Sequence, residues 1–185
     1  SAPSWHPNGQ SLVLTISREG NKDLYFYNLE SKKLIRLTTD TAIDTEANFS
    51  PDGKSVAFTS NRSGQVQIYI KDLTNGKVRR ATFEGSYNAK AVFSPDGKSL
   101  ALIHRVGKDY RVALLDIKTR DLTVLTQNKL DESPYFSPNG GMIIFATNRD
   151  NKGVLSVISL HNNQIVELAQ KGAEVREPNW SNYSK

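Results

Sequence analysis

FSPDG occupies residues 49–53 and returns at residues 93–97, while WHPNG at residues 5–9 and FSPNG at residues 136–140 repeat it with small changes. The aromatic residues that begin these copies, at positions 5, 49, 93 and 136, are separated by 44, 44 and 43 residues. A fifth and weaker copy begins 44 residues further on, at Trp180 in EPNWSNYSK. An internal period of this length predicts a tandem array of similar structural units.

Each repeat contains four short apolar or alternating stretches that are typical of β-strands. In the third repeat we expect strands at NAKAVFS (88–94), SLALIH (99–104), RVALLDI (111–117) and LTVLT (122–126). The Pro-Asp-Gly turn joins the first two, because proline presets the turn, aspartate caps it and glycine accepts a positive φ. RVGKDY and KTRD are expected to be the two later connections.

Four antiparallel strands in about 44 residues are typical of one blade of a β-propeller. We name the strands of a blade A to D, from the innermost to the outermost. The sequence predicts an all-β chain that is a single partial β-propeller domain over residues 1–185. Its predicted parts are four blades at residues 1–39, 45–83, 88–127 and 132–170, and an extra closing strand A at residues 175–181. A two-sheet sandwich is the alternative, but it gives no reason for the period.

Composition limits the functions that this chain can have. Its 185 residues are 37% hydrophobic, with no cysteine and no apolar run of the length that crosses a membrane, so direct membrane insertion is not expected. The net charge is +5, but lysine and arginine are spread over all repeats, which argues against nucleic-acid binding. The absence of an initiator methionine and of a signal peptide fits a mature or truncated chain.

Catalysis and metal binding lack the necessary residues. His6, His104 and His161 fall in an A–B turn, at the end of a B strand and in a C–D turn, so they are not expected to converge. There is no Gly-x-Ser-x-Gly nucleophile motif, no phosphate-binding loop and no calcium-loop spacing. The sequence therefore predicts a protein that is not an enzyme and has no cofactor or metal.

Acidic residues recur where the chain enters strand A. Asp44 with Glu46, Asp131 with Glu132, and the later Glu177 suggest a loose acidic ring, with a solvated loop as the alternative.

Arginine recurs at each B–C hairpin and suggests a basic outer rim, with solubilising charged turns as the alternative. The residues are Arg18, Arg62, Arg105 and Arg149.

The aromatic residues that begin each motif occupy one equivalent position. They are Trp5, Phe49, Phe93, Phe136 and Trp180. We interpret them as packing between adjacent repeats, and not as a nucleic-acid stacking platform.

The blades resemble the C-terminal propeller of the TolB family over the whole chain. The resemblance is strongest in LDESPYFSPNGGMIIFATN (130–148) and in VREPNWS (175–181). It implies a six-bladed propeller truncated on its N-terminal side, in which the last strand closes the first blade. His6 in place of the usual serine, and the tail SNYSK, depart from the family pattern.

The resemblance also implies a function. TolB proteins are non-catalytic periplasmic scaffolds of the Tol-Pal envelope system, which supports outer-membrane integrity and cell division. The implied partner is the peptidoglycan-associated lipoprotein Pal on the channel face, with other Tol proteins and imported bacteriocin segments as further partners. The implied partner-binding residues precede or begin each A strand: Ala2; Thr45 and Glu46; Asn88, Ala89 and Lys90; Glu132 and Ser133; Arg176 and Glu177.

Two alternatives stay open on the sequence alone. One is a propeller associated with a peptidase or binding a small ligand in its channel. The other is a short protein that completes its ring by dimerising through the surplus strand.

Overall fold

A computed structural model describes residues 3–18, 20–149, 152–168 and 177–180. The described residues form four four-stranded antiparallel sheets, each built from strands that follow one another along the chain. They form no helix, and hence none long and apolar enough to cross a membrane. This confirms the all-β architecture with four strands in each repeat.

The strands follow the expected order of A, B, C and D in every repeat. The first repeat contains β1 (Ser4–Trp5), β2 (Ser11–Arg18), β3 (Asn21–Asn28) and β4 (Leu34–Arg36). The second contains β5 (Asp44–Phe49), β6 (Ser55–Ser60), β7 (Gln67–Asp72) and β8 (Val78–Arg80). The third contains β9 (Asn88–Phe93), β10 (Ser99–Val106), β11 (Asp109–Asp116) and β12 (Leu122–Val124). The fourth contains β13 (Asp131–Phe136), β14 (Met142–Arg149), β15 (Lys152–Ser159) and β16 (Ile165–Leu168).

The B–C connection of the third repeat is shorter than the sequence suggested. β10 and β11 remain paired up to Val106 opposite Asp109, so only Gly107 and Lys108 form the turn. Gly107 has a φ of +61°. Two-residue hairpin turns require a positive φ of this kind, and glycine adopts it more easily than other residues. The predicted loop RVGKDY was therefore wrong at both ends. The strand D predicted at residues 122–126 was too long by two residues, since β12 ends at Val124.

The predicted closing strand at residues 175–181 lies partly outside the described residues. Residues 177–180, which are described, have no strand assignment. The closing strand stays a prediction.

The chain divides into two compact units, Ser1–Phe93 and Ser94–Lys185. The core of the first unit includes Val13 and Leu24 from the first repeat and Val56 and Phe58 from the second. In the second unit the largest fully buried side chains are those of Leu100, Leu102, Leu115, Ile143, Phe145 and Ile158. Strands B and C provide these residues, because both of their faces are covered.

The motif aromatics do not all share one environment. Phe49 and Phe136 are buried, in agreement with packing between repeats. Trp5 is 59% exposed, so the expected burial was wrong for the first copy. It lies on the two-residue strand β1, and the described residues of its unit leave most of its ring in contact with solvent.

The Ser-Pro-Asp-Gly turn is closed by one repeated set of hydrogen bonds. The Ser50 hydroxyl donates to Asp52 Oδ1 at 2.6 Å, and the Lys54 amide donates to the same oxygen at 3.0 Å. Gly53 has a φ of +70° and donates its amide to the Ser50 carbonyl. The third repeat forms the same bonds around Asp96, and the fourth forms them around Asn139.

A buried threonine fastens strand C in three repeats. Thr38, Thr82 and Thr126 accept the amides of Leu24, Ile68 and Val112 through Oγ1, at 3.0, 2.9 and 3.0 Å. The three hydroxyls donate in turn to Asp23, Gln67 and Asp131. Each threonine stands two residues after the end of the short strand D, so its side chain continues the pairing of strand C beyond that strand.

Replacement of Thr82 by valine tests this arrangement of threonine hydrogen bonds, which we call the threonine lock. Thr82 is fully buried, so Thr82→Val should leave the Ile68 amide without its acceptor and should remove one of the two hydrogen bonds that Gln67 Oε1 accepts. We expect a loss of about 1–3 kcal/mol in the free energy of unfolding, measured by urea denaturation. Thr82→Ser keeps the hydroxyl and is the matched control. Equal losses for the two variants would contradict the lock.

Acid should weaken the two Asp-Gly turns. The Ser50 hydroxyl bond, followed by the Lys54 amide bond, lowers the pKa of Asp52 below its ordinary value of 3.8, and the same bonds from Ser94 and Lys98 lower that of Asp96. Because the folded pKa values are depressed, their stabilisation is complete above 3.8 and is lost as the pH falls through the folded values.

The double variant Asp52→Asn/Asp96→Asn should be less stable than the wild type at higher pH, and this difference in stability should shrink as the pH falls. Asparagine already serves this turn at Asn139, so the variant keeps the hydrogen-bond acceptors. The measurement is the urea midpoint of both proteins at about pH 6 and about pH 3. A gap that does not change with pH would contradict the role of the charge.

Candidate functional site

The A strands carry a β-bulge at the positions where partner contacts were expected. Along β5 the pairing passes from Thr45 opposite Thr59 to Asn48 opposite Ala57, so β5 has one extra residue. β13 has the same irregularity between Glu132 and Tyr135. A bulge bends its strand and changes the direction of nearby side chains.

The bulge places non-glycine residues in the left-handed region. The φ values of Glu46, Lys90, Ser133 and Glu177 are +55°, +55°, +51° and +51°. These residues are 44, 43 and 44 positions apart, so the conformation recurs at equivalent positions of the second, third and fourth repeats and again at Glu177; the equivalent Ala2 of the first repeat lies outside the described residues. Backbone strain of this kind persists where the surroundings enforce it, and it is concentrated at functional sites. No glycine marks these positions, and the sequence analysis therefore missed the bulge.

Hydrogen bonds connect the left-handed residues Glu46 and Lys90 of the first unit. The Thr59 hydroxyl donates to Glu46 Oε2 at 2.8 Å, and the Lys90 amide reaches Glu46 Oε2 at 3.2 Å and Thr59 Oγ1 at 3.1 Å. Further along the same strands, Asn48 accepts the Phe93 amide at 3.1 Å and donates to Ser4 Oγ at 3.4 Å. Side chains therefore connect β1, β5 and β9.

The predicted acidic ring is wrong at Asp44, which is fully buried. Both of its carboxylate oxygens accept from Arg62 Nη2, at 2.9 and 2.8 Å, and Arg62 Nε donates to Ser60 Oγ at 3.0 Å. The guanidinium also lies 5.2 Å from the ring centre of Phe58 and 4.9 Å from that of Tyr69. This ion pair anchors the start of β5 to the B–C hairpin of its own sheet.

The ring is also wrong at Asp131, which is 1% exposed. Its carboxylate accepts from the Thr126 hydroxyl, from Asn128 Nδ2 at 2.9 Å and from the Val112 amide at 3.4 Å. Asp131 thus holds the segment that precedes β13, and it is a structural residue.

The arginine rim does not hold as a uniform feature. Arg62 is drawn into the ion pair described above, and its side chain is only 16% exposed. Arg18, Arg105 and Arg149 are exposed, and Arg149 Nη1 pairs with Glu167 Oε1 at 2.5 Å. Identical positions in the repeats therefore serve different local purposes.

The stretches from the end of one strand D to the next bulge are named the D–A segments, at residues 37–46, 81–90 and 125–133. Their connection to strand C is partly backbone: the Asn88 amide donates to the Val66 carbonyl at 2.8 Å, and the Tyr110 amide donates to the Lys129 carbonyl at 2.9 Å. The segments at residues 81–90 and 125–133 are thereby held against the sheets that precede them.

The predicted contact residues have unequal access to a partner. Thr45, Glu46, Lys90, Glu132 and Ser133 are partly exposed, and Glu177 is exposed. Ala2 and Arg176 lie outside the described residues.

Asn88 and Ala89 are buried. Asn88 Nδ2 donates to Gln67 Oε1 at 2.9 Å and to the Glu84 carbonyl at 2.8 Å. Its side chain therefore supports the segment from inside.

Exposed apolar side chains on the D–A segments were missed by the sequence analysis. Phe83 is 54% exposed, with the Arg80 guanidinium 5.0 Å from its ring centre. Ile43 and Leu130, which occupy equivalent positions, are 47% and 37% exposed. The signal was present in the sequence for Phe83 and Leu130, because each is a large apolar residue between polar neighbours.

No group of three or more histidine, cysteine or acidic side chains within the described residues is arranged to hold a metal ion. What the structure presents instead is a set of restrained segments with both polar and apolar exposed side chains. Such a surface is suited to binding another macromolecule.

Repeated four-stranded sheets of this kind define the β-propeller class. The model of the TolB beta-propeller domain family matches residues 1–184. The chain belongs to this family.

Known relatives are similar over the whole chain. It is 70% identical over all 185 residues to a Tol-Pal system protein TolB of Ruthia magnifica subsp. Calyptogena magnifica, and 66% identical to that of Vesicomyosocius okutanii subsp. Calyptogena okutanii. Each match covers 100% of this chain and 44% of the relative, so the chain spans less than half of their length.

A solved relative has the same fold. The crystal structure of TolB from Acinetobacter baumannii superposes with a TM-score of 0.91 at 47% identity, covering 97% of this chain and 45% of that one. Together with the family match, this likeness identifies the four sheets as blades of a partial propeller.

The left-handed conformation at the bulge should make glycine the better residue there. Lys90→Gly and Lys90→Ala lose the same side-chain contacts. Alanine still has the unfavourable backbone energy of a positive φ, whereas glycine does not. The glycine variant should therefore be more stable by about 1 kcal/mol. Chemical denaturation of both variants gives this difference.

The same pair of substitutions at Lys71, within β7 and without a positive φ, is the matched control. There the order should reverse, since glycine weakens a strand interior. If the alanine variant were the more stable one at position 90, the inference of backbone strain at Lys90 would be wrong.

Proposed function

We propose that this chain is part of a non-catalytic periplasmic scaffold of the Tol-Pal system. In this proposal it binds the lipoprotein Pal through residues of its D–A segments, and it supports outer-membrane integrity and cell division. Other Tol proteins and bacteriocin segments would engage the same protein. The observation that carries the proposal is 70% identity over the whole chain to a protein named Tol-Pal system protein TolB.

Rigidity of the D–A segments supports a binding role. Buried polar contacts hold them from below, through Asp44 with Arg62, Asn88 with Gln67, and Asp131 with Thr126. A surface that is ordered before binding loses little conformational entropy when the partner docks. Such contacts therefore favour recognition of a protein surface or an inserted peptide.

The exposed residues on these segments are of the kind that contribute most to protein interfaces. Phe83 is a large ring with more than half of its surface in solvent, and Ile43 and Leu130 add smaller apolar contacts. Lys90, Glu132 and Ser133 lie close to them in sequence and offer hydrogen bonds and charge. Aromatic anchors surrounded by polar groups are typical of binding hot spots.

The proposed site can be tested with the purified periplasmic domain of Pal, titrated into this chain in a calorimeter. Phe83→Ala should weaken binding about tenfold, which corresponds to the loss of one interface anchor. The substitution should leave stability nearly unchanged because the ring is mostly exposed. Thermal unfolding of each variant checks the fold.

Ile35→Ala is the matched control. Ile35 is 53% exposed, but it lies on the edge strand β4 and is not part of a D–A segment. Its replacement should not change the affinity for Pal. Equal weakening by both variants would exclude the D–A segments as the site, and no binding at all, beside a full-length relative that does bind, would show that this stretch is not sufficient.

A further inference from the structure

In the first unit the chain fills a cleft beside its A–B turn with one of its own rings. The His6 ring lies against Phe49, with ring centres 4.9 Å apart at 79°, and against Phe26, with centres 6.3 Å apart at 84°. His6 Nε2 is 3.3 Å from the Gly53 carbonyl oxygen, and a Cβ built on Gly53 would lie 2.4 Å from Nε2. The ring therefore packs directly on this glycine.

The ring in this cleft is neutral and donates one hydrogen bond. The Asn8 backbone amide donates to His6 Nδ1 at 3.1 Å, so Nδ1 carries no hydrogen and the ring hydrogen is on Nε2. Nε2 donates in turn to the Gly53 carbonyl. The first unit thus shows the chemistry that such a cleft accepts, which is a flat, uncharged ring with one donor at its edge.

The second unit has a corresponding cleft that the chain does not fill in this way. Four of its residues stand at the repeat positions of the residues that form the filled cleft: Leu114 for Phe26, Phe136 for Phe49, Gly140 for Gly53 and Ser94 for His6. They border a cleft of about 400 Å³. The nearest side-chain atom to a Cβ built on Gly140 is Pro95 Cδ, at 3.5 Å, so the space that a ring takes beside Gly53 is open beside Gly140.

Two of these replacements give the second cleft more room. Leu114 is smaller than the phenylalanine at its equivalent position, and Ser94 is smaller than histidine. The cleft can therefore accept a six-membered ring, which is larger than imidazole.

The walls of the second cleft favour an uncharged ligand. Its apolar lining consists of Pro95, Leu114, Phe136 and Leu160. The carboxylate at its rim is engaged by its own turn, because Asp96 Oδ1 accepts from the Ser94 hydroxyl at 2.6 Å and from the Lys98 amide at 3.1 Å. Lys98 Nζ lies 4.0 Å from Asp96 Oδ2. A charged ring would lose its hydration against the apolar walls, whereas a neutral ring would not.

The Gly140 carbonyl provides an acceptor for such a ring. In the part of the chain that the structure describes, no group donates a hydrogen bond to this oxygen. The carbonyl at the equivalent position, that of Gly53, accepts from the His6 ring.

We propose that this cleft binds the side chain of a tyrosine on a partner peptide. The phenol ring lies edge-on to Phe136 and its hydroxyl donates to the Gly140 carbonyl, as the His6 ring does with Phe49 and Gly53 in the first unit. Tyrosine combines one six-membered ring with an uncharged donor at the far edge. Its ordinary pKa is about 10, so the ring stays neutral at physiological pH.

The cleft is separate from the proposed Pal site. Strand β13 runs from Asp131 to Phe136, and its bulge at Ser133 lies towards the opposite end from the turn that contains Gly140. Binding at the cleft and binding at the D–A segments can therefore succeed or fail independently.

The test uses the whole chain, isotope-labelled for NMR, and the capped peptide acetyl-Gly-Tyr-Gly-amide. Titration should produce saturable shifts of the Gly140 amide and Leu160 methyl signals. The phenylalanine peptide lacks only the hydroxyl and should bind about 2- to 10-fold more weakly. The affinity for the tyrosine peptide should be equal at about pH 5.5 and about pH 8, because the phenol is neutral at both.

Ser94→His should place the chain's own ring in the cleft and abolish these shifts. The fold should tolerate it, because the turn around His6 has the same backbone bonds as the turn around Ser94, namely 6 to 11 and 9 to 6 against 94 to 99 and 97 to 94. Ser50→His, the same change in the second repeat, is the control and should leave peptide binding unchanged.

A second variant narrows the cleft without changing the turn. Leu114→Phe restores the wall that the first unit has at Phe26, and it should weaken binding of the tyrosine peptide several-fold. Thermal unfolding checks the fold of each variant. Absence of saturable shifts at the cleft in the wild type would overturn the proposal. So would equal affinity for the tyrosine and phenylalanine peptides, or shifts that persist unchanged in both cleft variants.

Discussion

Packing of one four-stranded sheet on the next is the interaction on which the rest of the structure depends. A single sheet of this size has two faces and cannot bury both alone, so its apolar residues are stabilised only when a neighbouring repeat covers them. In the first unit Phe49 of the second sheet meets Phe26 of the first, with ring centres 6.3 Å apart, and both belong to one core with Val13 and Leu24. Where no described residue covers the equivalent position, as at Trp5, the ring remains exposed.

The sequence predicted those features whose causes are local. The turn at Gly53 follows from residues next to one another, and the apolar runs of strands B and C follow from burial on both faces. Tertiary partners could not be predicted in the same way. Asp44 meets Arg62 across 18 residues and Asn88 meets Gln67 across 21, and nothing near either residue in sequence indicates its partner. For this reason the acidic loops expected to face a partner contain buried, paired carboxylates.

The bulges connect this architecture to the proposed function. Strand A must pair with strand B and must also present its first residues to a partner, and one extra residue at Glu46 or Ser133 serves both requirements. The left-handed backbone is retained at non-glycine residues because neighbouring contacts hold it, such as the Lys90 amide on Glu46 and Thr59. The candidate site is thus determined by backbone geometry as much as by side-chain identity, and this geometry is not visible in a list of residue types.

The threonine lock has a further consequence for how near-identical repeats assemble correctly. Thr38, Thr82 and Thr126 are equivalent, but they donate to an aspartate on the same sheet, to a glutamine that also binds Asn88, and to an aspartate from the following A strand. A strand that paired with the wrong repeat during folding would leave buried polar groups of the wrong kind facing each other. Tandem repeats are prone to such exchange, and unequal polar partners at equivalent positions act against it. The differences between the copies thereby specify the order of the blades, while their similarities specify the fold of each blade.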